Sequence, residues 1–198
     1  MKYVRQMDYD HVLYYVVPPR PDSDWDPDDY FGTVDEAGCG LAAAIMMADR
    51  LLVEPNFDIK EALQLSYDSK ANIAGTNYEI YGPALAKELG LKYVATNDAE
   101  QLVHCLRTGG AAVVNCSGDR EGHIGVFSHG GHFVTAVSVE EDGRIAILDP
   151  SFREGKYDEE DRKRKVEVKG KLLLASPDVV AEDCCWNTFH NFHLFWRK

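Results

Sequence analysis

Positive charge is scarce in this chain. Its 198 residues carry 33 Asp and Glu against 21 Lys and Arg, a formal net charge of -12. Such a surface repels nucleic-acid backbones and anionic membranes, so neither is expected as a partner. Long apolar runs are missing too. None approaches the roughly 20 residues that cross a bilayer. Residues 13–17 fall short of the about 7 to 15 apolar residues of a signal-peptide core. The chain is therefore expected to be cytoplasmic, although a chain already trimmed of a leader would look the same. Cysteine is sparse and odd in number, five in all, with no CxxC pair. That argues against a fully paired disulfide framework and a zinc knuckle. No phosphate-cradling or dinucleotide loop occurs, since Gly109-Gly110 and Gly130-Gly131 lack the required flanks. No cofactor is expected.

What is present is an ordinary globular composition, 45% hydrophobic and long enough for a core without staples. One domain is expected over 1–198. Residues 1–33 read as an ordered N-terminal arm, rich in Pro and Asp, with Trp25, Tyr30 and Phe31 docking on the domain and a short strand at 14–17. Residues 34–107 read as a mainly helical half, with helices over 38–52, 57–68, 78–89 and 97–106. The helix at 38–52 has so few polar residues that it must be buried on most sides. Residues 108–198 read as a mainly β half. It has strands at 111–115, 132–139 and 144–148, one or two within 165–174, a helical turn at 177–184 and a last strand at 189–196. The fold class is thus α+β, helices first and antiparallel strands after. The basic residues 162–165 beside the acidic residues 158–161 read as a solvated connection.

Glu36-Ala37-Gly38-Cys39-Gly40 stands directly before the buried helix. A thiol in the first turn of a helix meets unpaired N–H groups and the positive end of the dipole, which favour thiolate. Gly38 permits close approach of a substrate backbone. A cysteine nucleophile needs a base, and His132 opens an alternating strand behind Gly130-Gly131. Asp149 closes the return strand after the turn at Gly143. The start of one hairpin strand neighbours the end of the other, so His132 and Asp149 should lie within hydrogen-bonding reach. The plain alternative is a histidine and an aspartate that merely cap a hairpin. His123, His129 and His132 lie in a glycine-dense stretch without the helical spacing of a metal motif. It reads as a loop over the cleft, with His129 or His123 touching substrate, and not as a metal site. Cys105, Cys116 and the Cys184-Cys185 pair read as structural.

The ordered set Gly38-Cys39-Gly40, Gly131-His132-Phe133 and Leu148-Asp149-Pro150 resembles the bacteriocin-processing, C39-like branch of the papain-like cysteine peptidases. The similarity runs from about Trp25 to Pro150. It implies a papain-like fold, a peptide or related amide substrate, Cys39 as nucleophile, His132 as base and then acid, and Asp149 as orienter. Trp25, Gly38, Gly131 and His129 would border the substrate. One departure stands out. The family carries a glutamine that donates to the oxyanion, in some members six residues before the cysteine, where this chain has Thr33. The Cys39 backbone N–H would be one donor, leaving Arg20, Trp25 or Gln6 for the other. Missing such a donor costs about 3 kcal/mol of transition-state stabilisation. A catalytically impaired relative that binds peptides is therefore the alternative reading, and acyl transfer to another amine is a third.

Overall fold

The structure, a computed structural model, describes residues 1–18, 32–52, 55–184 and 189–198. Arg20, Trp25, Tyr30, Phe31 and Cys185 lie outside the described residues.

Two helices meet at Gly38. Helix α1 (Val34–Ala37) ends there and α2 (Cys39–Leu51) begins. The Ala, Leu, Ile and Met run of α2 is buried from Gly40 to Ala48 and again at Leu51. Helix α3 (Ile59–Asp68) opens on Asp58, whose carboxylate accepts the Lys60 N–H while Glu61 accepts the Asp58 N–H. Helix α4 (Tyr78–Glu88) opens on Asn77, whose side-chain oxygen accepts the Glu79 N–H, and is followed by Gly90 at φ +66°.

Residues 91–96, which the sequence reading left between two helices, form strand β1 (Leu91–Thr96). Its mixed polarity hides it. Only Leu91 and Thr96 are buried, and the strand exists because it pairs with the C-terminal strand along its whole length. Helix α5 (Ala99–Arg107) follows, capped by Asp98. Then come β2 (Ala111–Cys116), β3 (His132–Val139), β4 (Ile145–Leu148), β5 (Glu167–Lys169), β6 (Leu172–Ala175), the short helix α6 (Pro177–Glu182) and β7 (Phe192–Arg197). Their strands build one antiparallel sheet in the order β1-β7-β2-β3-β4-β6-β5.

The architecture is mixed α/β with an antiparallel sheet, and its division is less clean than helices first, strands second. β1 is the edge strand supplied by the helical segment, and α6 lies inside the β segment. Helices also cover both faces of the sheet. Helix α2 packs on β2 and β3, and α5 packs on β2, β3 and β7. Two apolar clusters result, one per face: Leu41, Ile45, Val113, Val137 and Phe195 share the first, and Leu106, Val114, Val134, Ile147 and Leu194 the second. With both faces covered, all six residues of β2 are buried, as a central strand requires. Among the described residues no helix is long and apolar enough to cross a membrane.

Two further expectations change. No strand forms at 14–17; only isolated bridges occur, Leu13 with Thr33 and Val17 with Ile73. Tyr14 instead buries its hydroxyl among Ser66, the Gly75 carbonyl and Thr76. The basic run is not wholly solvated either. Arg162 is only 2% exposed, with Nε donating to the Gly125 carbonyl and a guanidinium nitrogen 3.0 Å from Glu159. An arginine can be buried this way because its fork pairs with a carbonyl and a carboxylate together.

Candidate active site

Cys39 is the first residue of α2 and is half-buried. Its neighbours explain its position. Gly38 packs so tightly on α1 that a Cβ there would sit 2.5 Å from the Val34 carbonyl oxygen. A Cβ on Gly40 would lie 2.7 Å from Thr76 Cβ and 3.1 Å from the Tyr78 ring. Both glycines are therefore packing glycines: Gly38 serves the α1–α2 junction and is not among the residues that line the cavity at Cys39. Glu36 precedes this junction, but its carboxylate turns back to accept from Gly32 N–H, Thr33 N–H and the Thr33 hydroxyl.

Two bonds bolt α2 to β3. Thr135 Oγ1 donates to the Ala43 carbonyl at 3.0 Å, and Arg50 Nε donates to the Val137 carbonyl at 2.9 Å. They bring the N-terminus of α2 against the start of β3, where His132 stands. Cys39 and His132 are close enough to act on each other's titration. The imidazole meets Asp149 through Nε2, at 2.7 Å from Oδ1, so Nδ1 is the nitrogen left for the thiol. A carboxylate only accepts, which puts a proton on Nε2.

Electrostatics follow from this contact. Burial works against a Cys39 thiolate. The His132 hydrogen bond and charge, with the N–H groups of Phe133 and Gly40, outweigh it and bring the thiol below its ordinary value. Burial likewise works against a charged His132, yet Asp149 and Cys39 raise it to about 9. Asp149 is fully buried, and the His132 and Lys156 cations hold its carboxyl well below the usual range against the burial penalty.

Sequence reasoning missed the setting of Asp149. Ser151 donates its N–H and hydroxyl to Oδ1 at 2.8 and 2.9 Å. On Oδ2, Lys156 Nζ lies at 2.6 Å and the Tyr157 hydroxyl at 2.7 Å. Lys156 and Tyr157 are buried although they sit in a polar, glycine-containing stretch that reads as a surface connection. The single local cue is Tyr157, a large aromatic among charges.

Cys39, Gly131 and His132 line a cavity of about 340 Å³ with Phe133, Tyr78 and His193. His129 does not line it. Its ring faces Asp119 at 3.1 Å and is 54% exposed. His123 is likewise taken, by Asp183 at 2.9 Å. The three histidines of the glycine-dense stretch thus answer to three different carboxylates. Gln6 is also placed elsewhere: its Nε2 donates to the Asp35 carbonyl at 2.6 Å, and it does not line the cavity. Arg20 and Trp25 are outside the described residues. The remaining described cysteines are buried: burial pushes the Cys105 thiol up to about 12, and burial with the neighbouring Cys184 pushes the Cys116 thiol up as well.

No family model and no curated protein matches the sequence. A crystal structure of a Bacillus anthracis protein, provisionally named a C39-like peptidase, aligns with 100% of this chain and 98% of its own. The TM-score is 0.53 and the identity 10%. At that identity the likeness is one of fold.

Proposed function

We propose that this protein is a cysteine peptidase of C39-like type that hydrolyses a peptide or related amide bond through Cys39, His132 and Asp149. One observation carries the reading: Cys39 and His132 line one cavity and act on each other's titration, while Asp149 meets the far nitrogen of that imidazole at 2.7 Å. The likeness of fold to a protein named as a peptidase supports it.

In this reading the Cys39 thiolate attacks the acyl carbon, forming a C–S bond. The His132 imidazolium gives its proton to the departing amine as the C–N bond breaks. Neutral His132 then takes a proton from water, whose hydroxide displaces the sulfur and returns the thiolate. Asp149 keeps the ring in one tautomer and supports its positive charge.

A second reading, a catalytically impaired peptide-binding relative, is favoured by the oxyanion side. Gln6 spends its amide on Asp35, and Thr33 pairs with Glu36. The two readings separate in one experiment. Alkylation of Cys39 against pH, and labelling by an electrophilic peptide probe, are measured in wild type, Cys39→Ala and His132→Ala. A thiol that ionises below its ordinary value, with labelling lost in both variants, supports the enzyme. A thiol ionising above about 8.5 removes the activated nucleophile.

A further inference from the structure

His193 has no part in the path from sulfur to carboxylate, yet it lines the same cavity. It sits on β7, fully buried, with its ring 5.0 Å from the Tyr78 ring and stacked 6.1 Å from the Tyr93 ring. Its Nδ1 lies 2.8 Å from the Tyr93 hydroxyl. Its Nε2 is buried and has no hydrogen-bond partner among the described residues. A buried polar atom without a partner is destabilising, so the fold carries a penalty that a ligand can relieve. The cavity is the space from which such a ligand can come.

The chemistry of that partner can be read from the ring. Burial keeps His193 neutral, down to about 4, and burial raises the Tyr93 hydroxyl far enough that it keeps its proton. A neutral imidazole has one N–H and one bare nitrogen, and the Tyr93 hydroxyl can donate to Nδ1 or accept from it, so Nε2 is left as a donor in one tautomer and an acceptor in the other. The unpaired Nε2 therefore calls for a neutral group that can both give and take a hydrogen bond. An anionic group is disfavoured, because Glu79 lines the same space. A carboxamide suits it: its carbonyl or its NH2 can meet Nε2 in either tautomer, and the Tyr78 and Phe133 rings that line the same cavity offer it apolar walls. The Glu79 oxygens already accept from His190 N–H and are near its Nδ1, which fixes the carboxylate in place.

We infer that His193, held by Tyr93, is a specificity residue that selects a peptide bearing an Asn or Gln side chain next to the reacting bond. The inference rests on the peptide-cleaving reading of the site, but its test does not need turnover. Calorimetry on the Cys39→Ala protein measures binding of capped hexapeptides in which one position is varied in turn to Gln, Asn, Met or Glu. At one position the carboxamide peptides are expected to bind about tenfold tighter than the Met and Glu peptides. In Cys39→Ala/His193→Phe, Gln and Met peptides should bind alike. In Cys39→Ala/Tyr93→Phe, which leaves the histidine ring in place, the preference should shrink. Circular dichroism melts identify any variant that fails to fold, and the Tyr93 variant keeps the test alive if the His193 variant does. Equal binding of all peptides, no binding of any, or a preference unchanged in both variants overturns the inference. Alkylation of wild-type Cys39 by iodoacetamide, done without peptide, reports separately on the nucleophile. A reactive Cys39 with no carboxamide preference overturns the pocket alone, and an inert Cys39 with the preference intact overturns the enzyme alone.

Discussion

Lys156 brings its ammonium to 2.6 Å from Asp149 Oδ2, on the oxygen opposite the one that meets His132. The carboxylate is thus shared between two cations. Its five donors leave it no freedom to rotate. Sharing also moderates how strongly Asp149 draws a proton onto His132, since each cation partly cancels the field felt by the other.

Replacing Lys156 by Met should therefore make His132 more basic. The alkaline limit of the imidazolium, about 9 in wild type, is expected to move upward. A histidine NMR titration checks this. Loss of one partner from a buried pair also costs about 3 kcal/mol, visible in a urea melt. A downward move of the His132 titration would contradict the sharing.

Asp149→Asn should act in the opposite sense. Without the carboxylate, burial dominates at His132 and its titration falls well below about 9. Reaction of Cys39 with a peptide electrophile should slow by roughly 10²- to 10⁴-fold. Stopped assays across pH on both proteins give the comparison.

Stability should carry the signature of the same groups. His132 is raised from 6.5 to about 9 on folding, so its contribution is full below 6.5 and disappears as pH climbs through about 9. Asp149 is lowered from 3.8, so its contribution is full above 3.8 and disappears as pH falls below it. Thermal melts from pH 3 to 10 should show a plateau between about 4 and 6.5, with stability falling on both flanks. The alkaline flank should flatten in His132→Ala and the acid flank in Asp149→Asn.

Gly40→Ala tests the seat of the nucleophile. Alanine is the better helix former by about 1 kcal/mol, yet its Cβ would press on Thr76 at 2.7 Å and on Tyr78 at 3.1 Å. Overpacking costs about 1–3 kcal/mol and should win. The melt should drop, and alkylation of Cys39 should slow as α2 shifts from β3.

Asp183→Asn offers a structural control. This buried carboxylate accepts from the Val126 and Phe127 N–H groups and pairs with His123, tying the glycine-dense loop to the end of α6. The variant should melt several degrees lower with Cys39 alkylation nearly unchanged. Equal losses in both would mean that this loop also shapes the site.

Some of this is legible in the sequence. The apolar run of α2 can only be buried, and the alternation of β3 with the Gly143 turn set the hairpin that brings His132 to Asp149. β1 was hidden because Lys92, Tyr93, Val94 and Ala95 are not buried, so neither periodicity nor polarity marks it; its partner lies 100 residues away at the other end of the chain. Lys156 was hidden for a different reason. A lysine among charges reads as solvated, and only the path of the chain after Pro150 turns it inward onto a carboxylate.

Composition and local pattern determined by themselves the acidic surface, the buried helix that begins at Cys39, and the strands on which His132 and its partner aspartate ride. These are properties of neighbours along the chain, where spacing and side-chain type suffice. Tertiary structure alone decided that Ser151, Lys156 and Tyr157 surround Asp149, that Gln6 and His129 turn to other partners, and that His193 reaches the cavity from the last strand. Hydrogen bonds and burial between distant residues depend on how the layers close, and no local spacing encodes that.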